Sequence, residues 1–177
     1  MGMKIWQFCL LAGFAVAGSP IARAAPLRAA IFPFTLNDTS LQGEMQGSSA
    51  TQQHRLATLA PELAGMLMRS GCCTIVDISP VAAQAKSGDL EACGGCAVDL
   101  ARKLGAQVSI VGWVQKVSDL ILNINIVVRD VTTGHLLNEA SVDIRGNTDE
   151  SWSRGLAYLW HDRRHDHIQA PGPSSRR

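Results

Sequence analysis

The chain has 177 residues, of which 46% are hydrophobic, 18% charged and 5% aromatic, a length and balance that fit one globular domain with a terminal extension. Lys4 and Arg23 fall in a leader expected to be removed, and without them 14 basic side chains face 15 acidic ones, which leaves no electrostatic footprint for nucleic acid or anionic lipid. No uncharged apolar stretch reaches the roughly 20 residues that a membrane-spanning helix needs, which excludes membrane insertion.

Residues 1–24 read as a secretion signal: Lys4 in a short basic start, an apolar run from Phe8 to Gly18, then Pro20 and Ala22-Arg23-Ala24. Cleavage after Ala24 is expected, Cys9 leaves with the apolar run, and the signal points to a bacterial periplasm. Leu27 to Leu36 is a continuous apolar run closed by Asn37-Asp38-Thr39-Ser40, the pattern of a buried first strand and a turn. Gln42 to Gln53 is rich in Gly, Ser and Gln and reads as a mobile loop. Leu56, Leu59, Leu63, Met66 and Leu67 recur at helical spacing before the stop signal Ser70-Gly71, so a helix is expected, kinked at Pro61 or starting there. Cys73 to Ile78 is short and β-branched, a second strand.

An Ala-rich segment follows Pro80. Cys96, Leu100 and Leu104 then share one helical face that Gly105 ends. Gln107 to Val117 has the nearly unbroken apolar character of a central strand, with Trp113 expected in the core and Gly112 allowing a neighbour to approach closely. Leu120 to Arg129 alternates strictly, with Leu122, Ile124, Ile126 and Val128 against Asn123, Asn125 and Arg129, and Leu136 to Arg145 resumes the pattern, so the two form a hairpin. Asn147 and Glu150 resemble a capping pair for a last helix from about Thr148 to Trp160. The polar residues 161–177, with Pro171, Gly172 and Pro173, read as a disordered tail. The whole is a single α/β domain over residues 25–160, with helices packed on a mixed sheet in the order β-α-β-α-β-β-β-α.

The mature chain keeps Cys72, Cys73, Cys93 and Cys96. Four cysteines allow three pairings, and joining Cys72 to Cys73 requires a strained eight-membered ring. Cys93-Gly94-Gly95-Cys96 opens a helix and is expected to hold a structural disulfide joining Cys93 to Cys96, with Cys72 and Cys73 left as thiols; the alternatives are a thiol-disulfide redox couple whose thiolate the helix dipole would favour, or a metal site. Covalent haem is excluded because Ala97 stands where C-x-x-C-H needs histidine. Zinc would need both thiol pairs, and adjacent cysteines on a strand are expected to point in opposite directions. His161, His165 and His167, interleaved with Asp162 and Asp166, could hold a divalent cation, but the flanking Arg163 and Arg164 repel one, and a solvated tail is the simpler reading. No cofactor motif is present, and no serine or cysteine lies in a nucleophile motif.

The polar hairpin face carries Asn123, Asn125 and Arg129 on one strand and Ser141, Asp143 and Arg145 on the other. It reads either as an ordinary solvated face or as a recognition surface, with a groove expected near its end at Lys116, Asp119 and residues 145–150.

The pieces AAIFPF, LATLAPELAGMLMRSG, KLGAQVSIVGWVQKV and INIVVRDVTTGHLLNEASVDI, covering most of residues 28–145, resemble the amino-terminal domain of the translocation protein TolB and related curli-secretion-type domains. That resemblance implies an α/β sandwich. CGGC, VGWVQKVSDLILNINIVVRDVTTG and SVDIRGNTDESWSRG are similar to an uncharacterised family of secreted proteobacterial proteins associated with quinoprotein-dehydrogenase gene neighbourhoods. The resemblance implies a non-enzymatic periplasmic accessory or binding domain with a periplasmic protein as partner, and it carries over no catalytic residue. The alternative is a periplasmic thiol-disulfide oxidoreductase using Cys93 and Cys96.

Overall fold

In the computed structural model, which describes residues 25–162, the first apolar run forms two strands instead of one. β1 (Leu27–Ile31) and β2 (Thr35–Asp38) are separated by Phe32-Pro33-Phe34. Pro33 has no N–H to give a ladder, so it breaks the strand. Both pieces lie parallel to β4 (Val108–Ser118), with Ala29 beside Val108 and Thr35 beside Trp113. The expected signal segment 1–24 and residues 163–177 of the expected tail, including His165, Asp166 and His167, lie outside the described residues.

The expected mobile loop from Gln42 to Gln53 is helical except at residues 47–49. α1 (Leu41–Gln46) starts where the Ser40 hydroxyl accepts the Gly43 amide at 3.0 Å. α2 (Ala50–Ser70) starts at a capping box, in which the Gln52 amide donates to Ser49 Oγ and the Ser49 amide donates to Gln52 Oε1. Local capping therefore outweighs a composition poor in apolar residues. Pro61 lies well inside α2 and removes one backbone donor without ending the helix, which Leu59, Leu63 and Leu67 hold by burial at intervals of four residues.

β3 (Cys73–Ile75) is shorter than the expected strand. It is followed by a 3₁₀ turn (Ser79–Val81), α3 (Ala82–Ser87) and α4 (Cys96–Lys103). β5 (Ile121–Asp130) and β6 (Leu136–Ile144) form the expected hairpin, and α5 (Asp149–Asp162) closes the described chain. The sheet order is β3-β1-β4-β5-β6, with β2 beside the second half of β4. Its β3-β1-β4 part is parallel and its β4-β5-β6 part antiparallel.

Helices cover both faces of the sheet. Ile110, Val114, Leu122, Ile124 and Ile126 pack with Leu59, Leu63 and Leu67 of α2 and with Trp152, Leu156 and Leu159 of α5. On the reverse face Phe32 and Val111 pack with Val81, Ala85, Leu90 and Leu100 from the α3 and α4 region. Each fully buried aliphatic side chain contributes roughly 1.5–3 kcal/mol. The Phe34 ring lies against Gly112, so that a Cβ there would overlap it, which is the close approach that Gly112 was expected to permit.

Trp113 is a correction. Odd-numbered positions of β4 face the α3 and α4 side, and this indole is only half-buried. The fully buried indole is Trp152 of α5, 1% exposed, whose Nε1 donates to Asn147 Oδ1 at 3.1 Å.

Candidate functional site

The α3 and α4 layer covers the β1 side of the sheet and leaves much of β4, β5 and β6 uncovered. Alternation places Ile121, Asn123, Asn125, Val127 and Arg129 of β5 on that open face. The antiparallel register sets Asn123 between Gln115 and Asp143, and Asn125 between Trp113 and Ser141. The Asn123 amide donates to Asp143 Oδ1 at 2.8 Å and its carbonyl accepts the Ser141 hydroxyl at 2.9 Å. These three side chains form one cross-strand cluster. Arg129 lies at the other end, donating to the Gly134 carbonyl at 3.3 Å. Arg145 does not join them and lines a separate open groove between β6 and α5, with Thr148, Arg154 and Tyr158. Apolar groups interrupt the polar surface: Trp113, Val127 and Ile121, the last 46% exposed.

A cleft of about 70 Å³ lies between this face and the start of α4, bounded by Glu91, Gly94, Gly95, Trp113, Val127 and Arg129. The loop above it is tied down at Glu91, which accepts from the Asn37 amide at 3.0 Å, and at Asp89, whose carbonyl accepts the Cys93 amide at 3.0 Å. Gly94 adopts φ +68°, a left-handed conformation that costs glycine little. It brings Cys93 and Cys96 to a Cα separation of 5.7 Å with their sulfurs at disulfide distance. Cys93 is exposed and Cys96 is the first residue of α4.

Cys72 and Cys73 are both free thiols, and they do not point apart as expected: Cys72 precedes the strand, and the two sulfurs approach to 3.1 Å. Burial, and then the Cys72 sulfur, push the Cys73 thiol up to about 12, so Cys73 is inert as a thiolate at neutral pH.

Lys116 is a second correction. It was expected beside a groove at the end of the polar face. It lies instead on the α2 and α5 side, 1% exposed, between Asp38 at 3.3 Å and Asp119 at 3.1 Å. Asp119 also accepts from the Asn147 amide at 3.1 Å. Asn147 Oδ1 in turn accepts from Arg55 at 3.0 Å and from the Trp152 indole. Burial pushes the Asp38 carboxyl up, but the Ser40 hydroxyl and amide and then the Lys116 ammonium outweigh it and hold the group below its ordinary value. Hydrogen bonds from Lys116 and then Asn147 lower Asp119 likewise. The network joins β2, β4, α2 and the loop before α5. Its buried charges are paired among themselves, which makes it an architectural element and not a reactive one. Among the described residues no three His, Cys, Asp or Glu side chains gather as a metal-holding group. His161 is exposed near the end of α5.

A family model described as "Protein of unknown function (DUF2380)" matches residues 27–164. No curated protein matches the sequence. Among solved structures, the LpoB C-terminal domain from Salmonella enterica superposes with a TM-score of 0.50 at 17% identity, covering 71% of this chain and 87% of that one. This likeness shows a shared fold. TolB from Acinetobacter baumannii superposes with a TM-score of 0.46 at 17% identity, covering 79% of this chain and 28% of the TolB chain. Lipoprotein GNA1162 from Neisseria meningitidis gives 0.48 at 14% identity, covering 81% of this chain and all of that one.

Proposed function

The chain belongs to that family of unknown function, and from this premise we propose that it is a non-enzymatic accessory domain of the periplasm that recognises a protein partner through the open face of β4, β5 and β6. The observation that carries the reading is the half-exposed Trp113, paired with Asn125 and sharing the cleft with Arg129 at the border of the part of this sheet face that α4 leaves bare. An indole framed by hydrogen-bonding groups is the composition of an interface anchor, because it removes a large apolar area from water while the polar rim sets orientation. A rigid strand platform presents these groups at low entropic cost. In this reading the Cys93–Cys96 pair fixes the loop that walls the cleft and performs no redox step.

Site-directed photo-crosslinking in the native periplasm tests the proposal. A photoreactive phenylalanine derivative at Asn125 should give one discrete adduct with another protein, and the same group at the exposed Tyr158 should not. Replacing Asn123 and Arg129 with alanine should leave folding intact and remove the adduct. Equal adducts from both positions, or none from Asn125, would leave the face an ordinary solvated one.

A further inference from the structure

On the opposite side of the sheet, the second half of α2 and the end of α5 do not close completely. They leave a cavity of about 270 Å³, larger than the roughly 150 Å³ of an engineered apolar void that stays dry and takes up benzene. Its walls are Leu63 and Leu67 of α2, Ile110, Ile126 and Val128 of the sheet, and Leu159 of α5, all buried. Water gains little in such a space, because it would lose hydrogen bonds that these walls cannot replace. With Ala140 of β6, the sheet side of the wall is drawn from three neighbouring strands, β4, β5 and β6. At about 4.8 Å per strand spacing the space extends about 10 Å across the sheet, long enough for an extended chain and not only for a single ring.

The rim is different in kind. Ser70, Cys72, Asn138 and Trp160 border it, and among the described residues no Lys, Arg, His, Asp or Glu lines either wall or rim. The Asn138 side-chain amide has no hydrogen-bonding partner among the described residues, so it presents both a donor and an acceptor to whatever enters. A charged head would go unpaired there, at the usual penalty for an uncompensated ion.

We propose that this cavity binds the alkyl chain of a free, neutral single-chain amphiphile, with its hydroxyl, ester or amide head at Asn138 and Ser70. The site is distinct from the open sheet face and independent of what that face binds.

The test uses the full mature chain and N-phenyl-1-naphthylamine as a fluorescent probe, displaced by decan-1-ol or by decanoate at neutral pH. Displacement by decan-1-ol should saturate at one equivalent, and decanoate should compete at least about tenfold more weakly because its carboxylate has no cation to pair with. Ala140→Leu fills the space and should weaken decan-1-ol by about tenfold or more. A second readout does not depend on that variant folding: decan-1-ol should slow alkylation of Cys72 by N-ethylmaleimide in the unaltered protein. The readout falls on the tryptic peptide 70–86, which separates it from Cys93 and Cys96. Non-saturating displacement, equal competition by decanoate, an unaffected and folded Ala140→Leu variant, or an unprotected Cys72 would each overturn the assignment. Binding seen only with phosphatidylethanolamine vesicles, and not with decan-1-ol alone, overturns the free-amphiphile source.

Discussion

A single ammonium group, that of Lys116, is removed from water where β2, β4 and the turn after β4 meet, and its two carboxylate partners come from very different depths. Asp38 is 10% exposed and Asp119 is 52% exposed, so Asp38 carries most of the compensation for the buried charge. Removing one partner of a buried pair costs about 3–5 kcal/mol, whereas replacing both with uncharged groups of similar volume is often close to neutral. Asp38→Ala is therefore expected to lower the urea midpoint sharply, and Asp38→Asn combined with Lys116→Met to recover most of it. Both carboxyls lie below their unfolded values, near 3.9 for Asp. Their contribution is accordingly complete above that value and is lost as pH falls through the folded one. Thermal melts should hold steady from neutral pH to about 5 and decline steeply below about 4, and Asp38→Asn should flatten the decline. The indoles separate in the same manner. Trp152→Ala should cost about 3–5 kcal/mol, and Trp113→Ala, half in water already, under about 2 kcal/mol; equal shifts in urea unfolding would place both in the core. The apolar run around Trp113 was legible, but which parity of β4 a helix covers depends on packing between segments far apart in sequence. The same holds for Lys116, whose deeper partner lies 78 residues away.

Among the elements, those specified by local pattern agree most closely between sequence and structure. β5 alternates residue by residue as its sequence does, α2 ends where Ser70-Gly71 indicates, and α5 begins one residue after the expected position. Composition misled where capping decided. The stretch Gln42 to Gln53 has few hydrophobic residues, yet Ser40 and the Ser49/Gln52 pair satisfy backbone donors that would otherwise be orphaned, and two helices form. The break at Pro33 was likewise written in the chain, although the apolar residues on either side have the pattern of one continuous strand. That break has a steric partner. Phe34 folds over the strand beside it, in space that Gly112 leaves open. Gly112→Ala should destabilise by about 1–3 kcal/mol through overpacking, and Phe34→Leu should relieve part of that loss. A double-mutant cycle in urea checks the coupling, and additive losses would show that the ring and the glycine do not meet.

At the scale of the molecule, the two faces of the sheet divide the work. One is packed against α2 and α5 around the apolar cavity, and the other is left partly bare. The candidate recognition residues were legible because alternation lists one face of a strand. Which of them stand together was not, since Arg145 departs to the α5 groove and Trp113 joins from β4. The mixed topology also sets an order in time. β4, β5 and β6 follow one another through short turns, and hairpins of that kind close in about 1–10 μs. β1 must find β4 across a loop in which Arg28 and Gln107, hydrogen-bonded at 3.0 Å, stand 79 residues apart, so its entropy of closure is met only when a partner edge already exists. The hypothesis is that β1 docks late, and pulsed hydrogen exchange should find β5 amides protected before those of β1; simultaneous protection would refute it. Of the described strands, the first in sequence is then seated only after the hairpins that follow it, and until it arrives, with β3 on its outer side, the inner edge of β4 stays open to any other extended chain.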